Sequence, residues 1–80
     1  MNIEKKHIRR LLKKCLRGDF EKILSEAKMT KTEEHIIRNI YVDGFSRVET
    51  AMKNNVSEST VFRVTDDFCD RAIAILSRRG

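Results

Sequence analysis

Proline and tryptophan are absent from this 80-residue chain, and glycine occurs three times. Without proline nothing forces a helix to break, and so little glycine leaves few sites for the left-handed turns of tight hairpins. Leu, Ile, Lys, Arg and Glu then set the backbone preference, and they favour an all-α fold. No apolar run approaches the roughly 20 residues of a transmembrane helix. Near the N-terminus Arg9, Arg10, Lys13 and Lys14 interrupt the apolar stretch that a signal peptide needs, so a cytoplasmic location and no membrane are expected. Cys15 and Cys69 form no CxxC and have no histidine close in sequence, which argues against zinc; both are expected reduced and packed between helices. His7 and His35 lack carboxylate or cysteine partners at ligand spacing, and no phosphate loop or nucleophile motif is present. The expectation is therefore no enzyme and no cofactor. One small domain, residues 1–80, has too little interior for an ordinary active-site cleft. Chains of this size often gain stability by association, which makes a homodimer or higher oligomer the starting expectation.

What charge there is lies unevenly. Residues 1–17 hold seven bases against Glu4, an excess of six, whereas the remainder holds ten bases against eleven acids. A basic segment on an otherwise neutral domain suggests a polyanionic partner. On a wheel of about 100° per residue, Ile8, Leu11, Leu12, Cys15 and Leu16 share one side of this segment, about residues 3–17, and the bases take the opposite arc. Gly18 reads as its stop and Asp19 as the N-cap of a second helix, about 20–28, which offers Phe20, Ile23, Leu24 and Ala27 to a core. Thr30 and Glu33 form a T-x-x-E capping box that opens a third helix. This runs to about Asp43, buries Ile36, Ile37, Ile40 and Tyr41, and ends at Gly44. Ser46 with Glu49 is a second capping box. Ser57 caps a last helix that continues to about Ser77, giving about five helices in all.

The segment 46–65 has the spacing of a helix-turn-helix. Counting from Arg47, the small residue required where two helices touch is Ala51, at the fifth position. Asn55, at the ninth, is the residue best able to take positive φ. Val56, Val61 and Val64 follow as apolar plugs that seat the second helix, whose N-terminal end would enter a major groove. Two positions that are usually apolar hold Thr50 and Asn54, so Val48 and Met52 are expected to supply the packing. The candidate DNA contacts on the last helix are Ser57, Glu58, Ser59, Thr60, Phe62 and Arg63. Arg63 is the candidate base reader because its fork matches guanine O6 and N7. Ser57, Ser59 and Thr60 can bond base edges or phosphates, helped by the free N–H groups of the helix start. Glu58 can accept from cytosine N4, or merely complement the helix dipole. Arg47 sits where a phosphate clamp belongs. Asp66, Asp67 and Asp70 lie near Arg63 on the wheel and would repel phosphates unless only the first two turns enter the groove.

The basic first helix admits several readings: a phosphate-binding element working through Lys6, Arg10 and Lys14, a solvated face, a membrane-surface helix, or a partner for the Asp66/Asp67/Asp70 strip of a neighbouring protomer. The extension of the last helix, 66–78, carries apolar residues over about half the wheel, more than one core needs. Val61, Val64, Phe68, Ala72 and Ile75 run along the centre of the helix and Phe62, Cys69, Ile73 and Leu76 along one flank. The surplus, with Phe68, Cys69, Ile73 and Leu76 as candidate interface residues, either meets a partner subunit or is covered by the first helix.

From Ile37 to Val64 the chain resembles the adhesin-biosynthesis transcription regulators, the small PapB-type proteins that control fimbrial operons. The resemblance rests on Arg38, Val42, Gly44-Phe45-Ser46-Arg47, Glu49 and Asn55-Val56, about a third of the chain. Phe20 to Val64 is also similar to plasmid repressors of the KorA (TrfB) type, through the phenylalanine-led helix and the V-D-G-x-S turn at Val42 to Ser46. These resemblances imply a repressor or operon-specific regulator that binds double-stranded DNA as a dimer or larger oligomer, with Arg47, Ser57, Ser59 and Arg63 as contacts. The competing expectation is an interaction module that keeps this fold but docks a transcription factor or polymerase subunit instead of DNA.

Overall fold

Two helix starts are each specified by four residues. The Glu33 N–H donates to Thr30 Oγ1 over 3.2 Å while the Thr30 N–H donates to the Glu33 carboxylate over 2.9 Å. Ser46 and Glu49 repeat the exchange at 3.1 and 3.2 Å. Each box satisfies two N–H groups, one of them on the cap residue itself.

The computed structural model describes residues 5–15 and 17–79, with the backbone alone described at Lys5, Arg17 and Arg79. The chain is all-α: α1 (Lys5–Lys14), α2 (Arg17–Ala27), α3 (Lys31–Tyr41), α4 (Arg47–Asn54) and α5 (Glu58–Arg79). The expected helix start near residue 3 and the apolar role of Leu16 fall outside the described residues. Among the described residues no helix is long and apolar enough to cross a membrane.

The boundary between α1 and α2 corrects the sequence reading. Gly18 is not a stop and Asp19 is not an N-cap, because both lie inside the first turn of α2. First-turn N–H groups have no partner within the helix, so glycine costs less there than mid-helix. The other end of α2 closes on Lys28, a lysine with φ 53°, and the Arg71 guanidinium donates to the Ala27 carbonyl over 2.6 Å. A cation on the last carbonyls satisfies acceptors that the helix itself leaves open.

At about 1.5 Å per residue the 22 residues of α5 extend roughly 33 Å, close to the 37 Å long axis of the molecule. Val61, Val64, Phe68, Ala72 and Ile75 form its buried line, as the wheel predicts. Phe20 from α2, Tyr41 from α3 and Phe68 from α5 meet with each pair of ring centroids 5.9 Å apart, joining three helices through one aromatic cluster. Tyr41 Oη lies 3.5 Å from Cys69 Sγ, and burial foremost, then this contact, pushes the phenol pKa up. Helix α1 packs on α5, with Ile8 and Leu12 buried. Leu11 departs from expectation and stands 48% exposed.

Candidate nucleic-acid interface

Asn55 takes the left-handed conformation expected of it, with φ 54° and ψ 47°. Its N–H donates to the Met52 carbonyl over 3.3 Å, and the Val56 N–H donates to the Ala51 carbonyl over 3.0 Å. These two bonds are those of a Schellman motif, which turns the chain sharply and satisfies two terminal carbonyls of α4. Ser57 then caps α5, its Oγ accepting from the Thr60 N–H over 3.1 Å. Helix α4, a turn of three residues and α5 thus follow in an arrangement compatible with a helix-turn-helix.

The inner face of α4 differs from expectation. Thr50 and Ala51 are buried, whereas Val48 is 50% and Met52 78% exposed, so the two apolar residues do not supply the packing. Asn54 turns towards α3 instead. Its amide donates to Asn39 Oδ1 and to the Thr50 carbonyl, both over 2.8 Å, and the Asn39 amide donates to the Asp43 carboxylate over 2.9 Å. This polar seam holds α4 on α3 and makes the inward amide of Asn54 tolerable. Only Thr50 Oγ1 is left, among the described residues, as a buried side-chain polar atom with no hydrogen-bond partner.

On the outer side Arg47, Ser57, Glu58, Ser59, Phe62 and Arg63 are exposed and Thr60 is half-buried. The structure brings four of these together: Arg47, Glu58, Ser59 and Phe62 line a shallow hollow of about 360 Å³. Here the Arg47 guanidinium carbon lies 5.7 Å from the centre of the Phe62 ring. Ser57 and Thr60 are less available, since their hydroxyls lie 2.9 Å apart and Ser57 is engaged as the cap. A second aromatic–cation pair, Lys53 Nζ 5.1 Å from the Phe45 ring centre, flanks α4. No periodicity links those two residues, so the sequence reading missed them.

Arg63 lies in a different setting. With Glu33, Val64, Asp66, Asp67 and Asp70 it lines a hollow of about 370 Å³. Asp66 meets Arg9 of α1 at 3.6 Å and Asp67 meets Arg71 at 3.1 Å. One base of the N-terminal helix thus meets the acidic strip within its own chain. Lys6, Arg10 and Lys14 are exposed on α1 at intervals of four residues, forming one stripe. None of the residues lining the Arg47–Phe62 hollow comes from α1.

Two of the four residues expected at an oligomer interface are placed elsewhere. Phe68 and Cys69 are wholly buried inside the chain, because α1, α2 and α3 pack on α5. Ile73 and Leu76 remain half-buried. Leu76 joins Leu11, Leu12, Lys14, Cys15, Asp19 and Ile23 in lining a groove of about 410 Å³. Cys15 is half-buried there, its thiol pKa raised by burial and secondarily by Asp19. His7 and His35 are exposed, and the described residues contain no group of three His, Cys, Asp or Glu able to hold a metal ion.

No family model, curated protein or solved structure matches the chain.

Proposed function

We propose that the chain is a sequence-specific DNA-binding transcriptional regulator of an operon, as the resemblance to fimbrial regulators implies, and that it inserts the first turns of α5 into the major groove. The supporting observation is the join between α4 and α5. The Asn55 turn and the Ser57 cap leave Ser59, Phe62 and Arg63 exposed near the start of α5, with Arg47 beside Phe62. Arg47 serves the backbone phosphates, Arg63 reads a guanine, and the stripe of Lys6, Arg10 and Lys14 adds salt-dependent affinity. Only the first two turns of α5 approach the duplex, which keeps Asp70 clear of phosphate. The protein acts from the cytoplasm as a dimer, using Leu76 and Ile73, without a cofactor.

The test starts with duplexes selected from a randomised pool by the wild-type chain. Arg63→Ala should lose about 1–3 kcal/mol on the selected site, and preference at one base pair should relax. An unchanged ratio of specific to non-specific affinity removes Arg63 as a base reader. Ile73→Asp with Leu76→Asp should give a folded monomer that binds the site weakly; wild-type protein that sediments as a monomer yet binds one half-site tightly refutes the dimer.

A second reading is favoured by Val48 and Met52, which stand exposed one turn apart on α4. Under it the same surface docks a protein partner of the transcription machinery. That reading predicts no salt-dependent binding to duplex DNA of any sequence.

A further inference from the structure

Among the residues at the start of α5, Phe62 is the one whose chemistry hydrogen bonding cannot explain. Its neighbours Val61 and Val64 are buried at 0% and 5% exposure, while Phe62 stands 48% exposed with no polar atom to offer solvent. The Arg47 guanidinium covers the ring, 5.7 Å from its centre, and Ser59 and Glu58 complete the hollow. Ser59, three residues before Phe62, lines the same hollow, and Arg63, four residues after Ser59, continues the stripe beside the ring, so groups that can bond to base edges flank the ring on one side. In the major groove of unmodified DNA the base edges present donors, acceptors and one apolar group, the C5 methyl of thymine.

We propose that Phe62 reads a thymine methyl in the major groove, with Arg47 as a positioning residue that holds the ring and engages the adjoining phosphate. The inference rests on the DNA-binding reading above. It assigns that surface a preference for an A·T pair beside the guanine read by Arg63. A guanidinium stacked on one face of the ring restricts it while keeping donors free for a phosphate oxygen. Ring and charge then arrive at the duplex together. Apolar contact with a methyl discriminates thymine from every other unmodified base, and it gives the protein a way to distinguish DNA from uracil-containing helices.

The experiment uses the full chain and a duplex selected from a randomised pool by the wild type. Each thymine of the site is replaced in turn by deoxyuridine, which removes the methyl and leaves every hydrogen-bonding edge intact. Affinities are measured by fluorescence anisotropy at fixed salt. For the wild type, one replacement should weaken binding about fourfold, the equivalent of one buried methyl at about 0.8 kcal/mol. Phe62→Ala should bind the thymine and uracil duplexes equally, whereas Phe62→Leu, which keeps an apolar side chain, should retain part of the difference. Arg47→Ala should shrink the thymine preference as well as the overall affinity. Wild-type affinity indifferent to every replacement overturns the proposal, as does Phe62→Ala with undiminished sensitivity; both leave the DNA-binding reading standing. A wild-type chain that selects no duplex overturns that reading, and this one with it.

Discussion

Replacing Thr50 with valine should make the protein more stable. Thr50 is fully buried on the inner face of α4, and its hydroxyl has no hydrogen-bond partner. Burying such a group without compensation costs about 1–3 kcal/mol in proteins. Valine keeps the branched shape and differs little from threonine in helix preference, so the substitution removes the desolvation penalty at small cost in packing. The expected gain is about 1 kcal/mol or more, which for a domain of this size raises the melting temperature by about 4–8 °C per kcal/mol. Thermal melts followed by circular dichroism give the shift. Urea titration should show a higher midpoint at unchanged slope, which locates the effect in the folded state's stability. Thr50→Ser is the control. It keeps the hydroxyl and deletes a methyl, so it should lose about 1 kcal/mol. A valine variant that melts at or below the wild type would refute the reasoning, because the hydroxyl would then be hydrogen-bonded in the folded protein.

At the turn, Asn55→Ala should cost about 1 kcal/mol, since alanine is strained at φ 54°, whereas Asn55→Gly should stay within a few tenths; equal melting of the two variants refutes this. Tyr41 is the only tyrosine, and its folded-state pKa lies above the ordinary value near 10. The unfolded chain therefore releases that proton first, so the stability it contributes is whole below about pH 10 and falls as pH rises beyond it. Comparing urea midpoints across alkaline pH should show a shallower loss for Tyr41→Phe, and parallel curves would dismiss the linkage. Charge reversal at Lys6, Arg10 and Lys14 should flatten the slope of log K against log salt by about 0.9 for each phosphate these bases neutralise. An identical slope would make the exposed row on α1 a solvated face.

Where the chain's chemistry is local, the sequence is mostly a faithful guide, the Gly18 stop and the Asp19 cap being the local signals that fail. Both capping boxes, the Asn55 turn, the Ser57 cap and the buried line of α5 each depend on residues within a few positions of one another. The errors arise where a distant partner decides. Val48 and Met52 read as packing residues because they are apolar, yet the bond between Asn54 and Asn39, fifteen residues apart, orients α4 so that they face outward. For Phe68 and Cys69 the pattern leaves a partner subunit and cover within the chain both open, and only the packing of the other helices on α5 decides for burial. Lys28 ends α2 although lysine carries no signal for a left-handed turn, and the arginine that meets the neighbouring carbonyl is 44 residues away. The same holds for the outer surface. Arg47 and Phe62 are each legible as surface candidates, while their stacking is a product of the turn between them.

Because α5 runs nearly the whole length of the molecule, it acts as a stiff lever as well as a core element. Its far end, around Ile75 and Leu76, is gripped by α1 and α2, and its near end carries Ser59, Phe62 and Arg63. A tilt of about 5° at the gripped end displaces the near end by about 3 Å over its length. That is comparable to the spacing of successive base pairs in a duplex. A tilt set at the remote groove would reach the opposite pole to the extent that α3 and α4, which pack on α5, move with it. Under the DNA-binding proposal, alignment on a duplex would then depend also on the end of the helix that does not approach it.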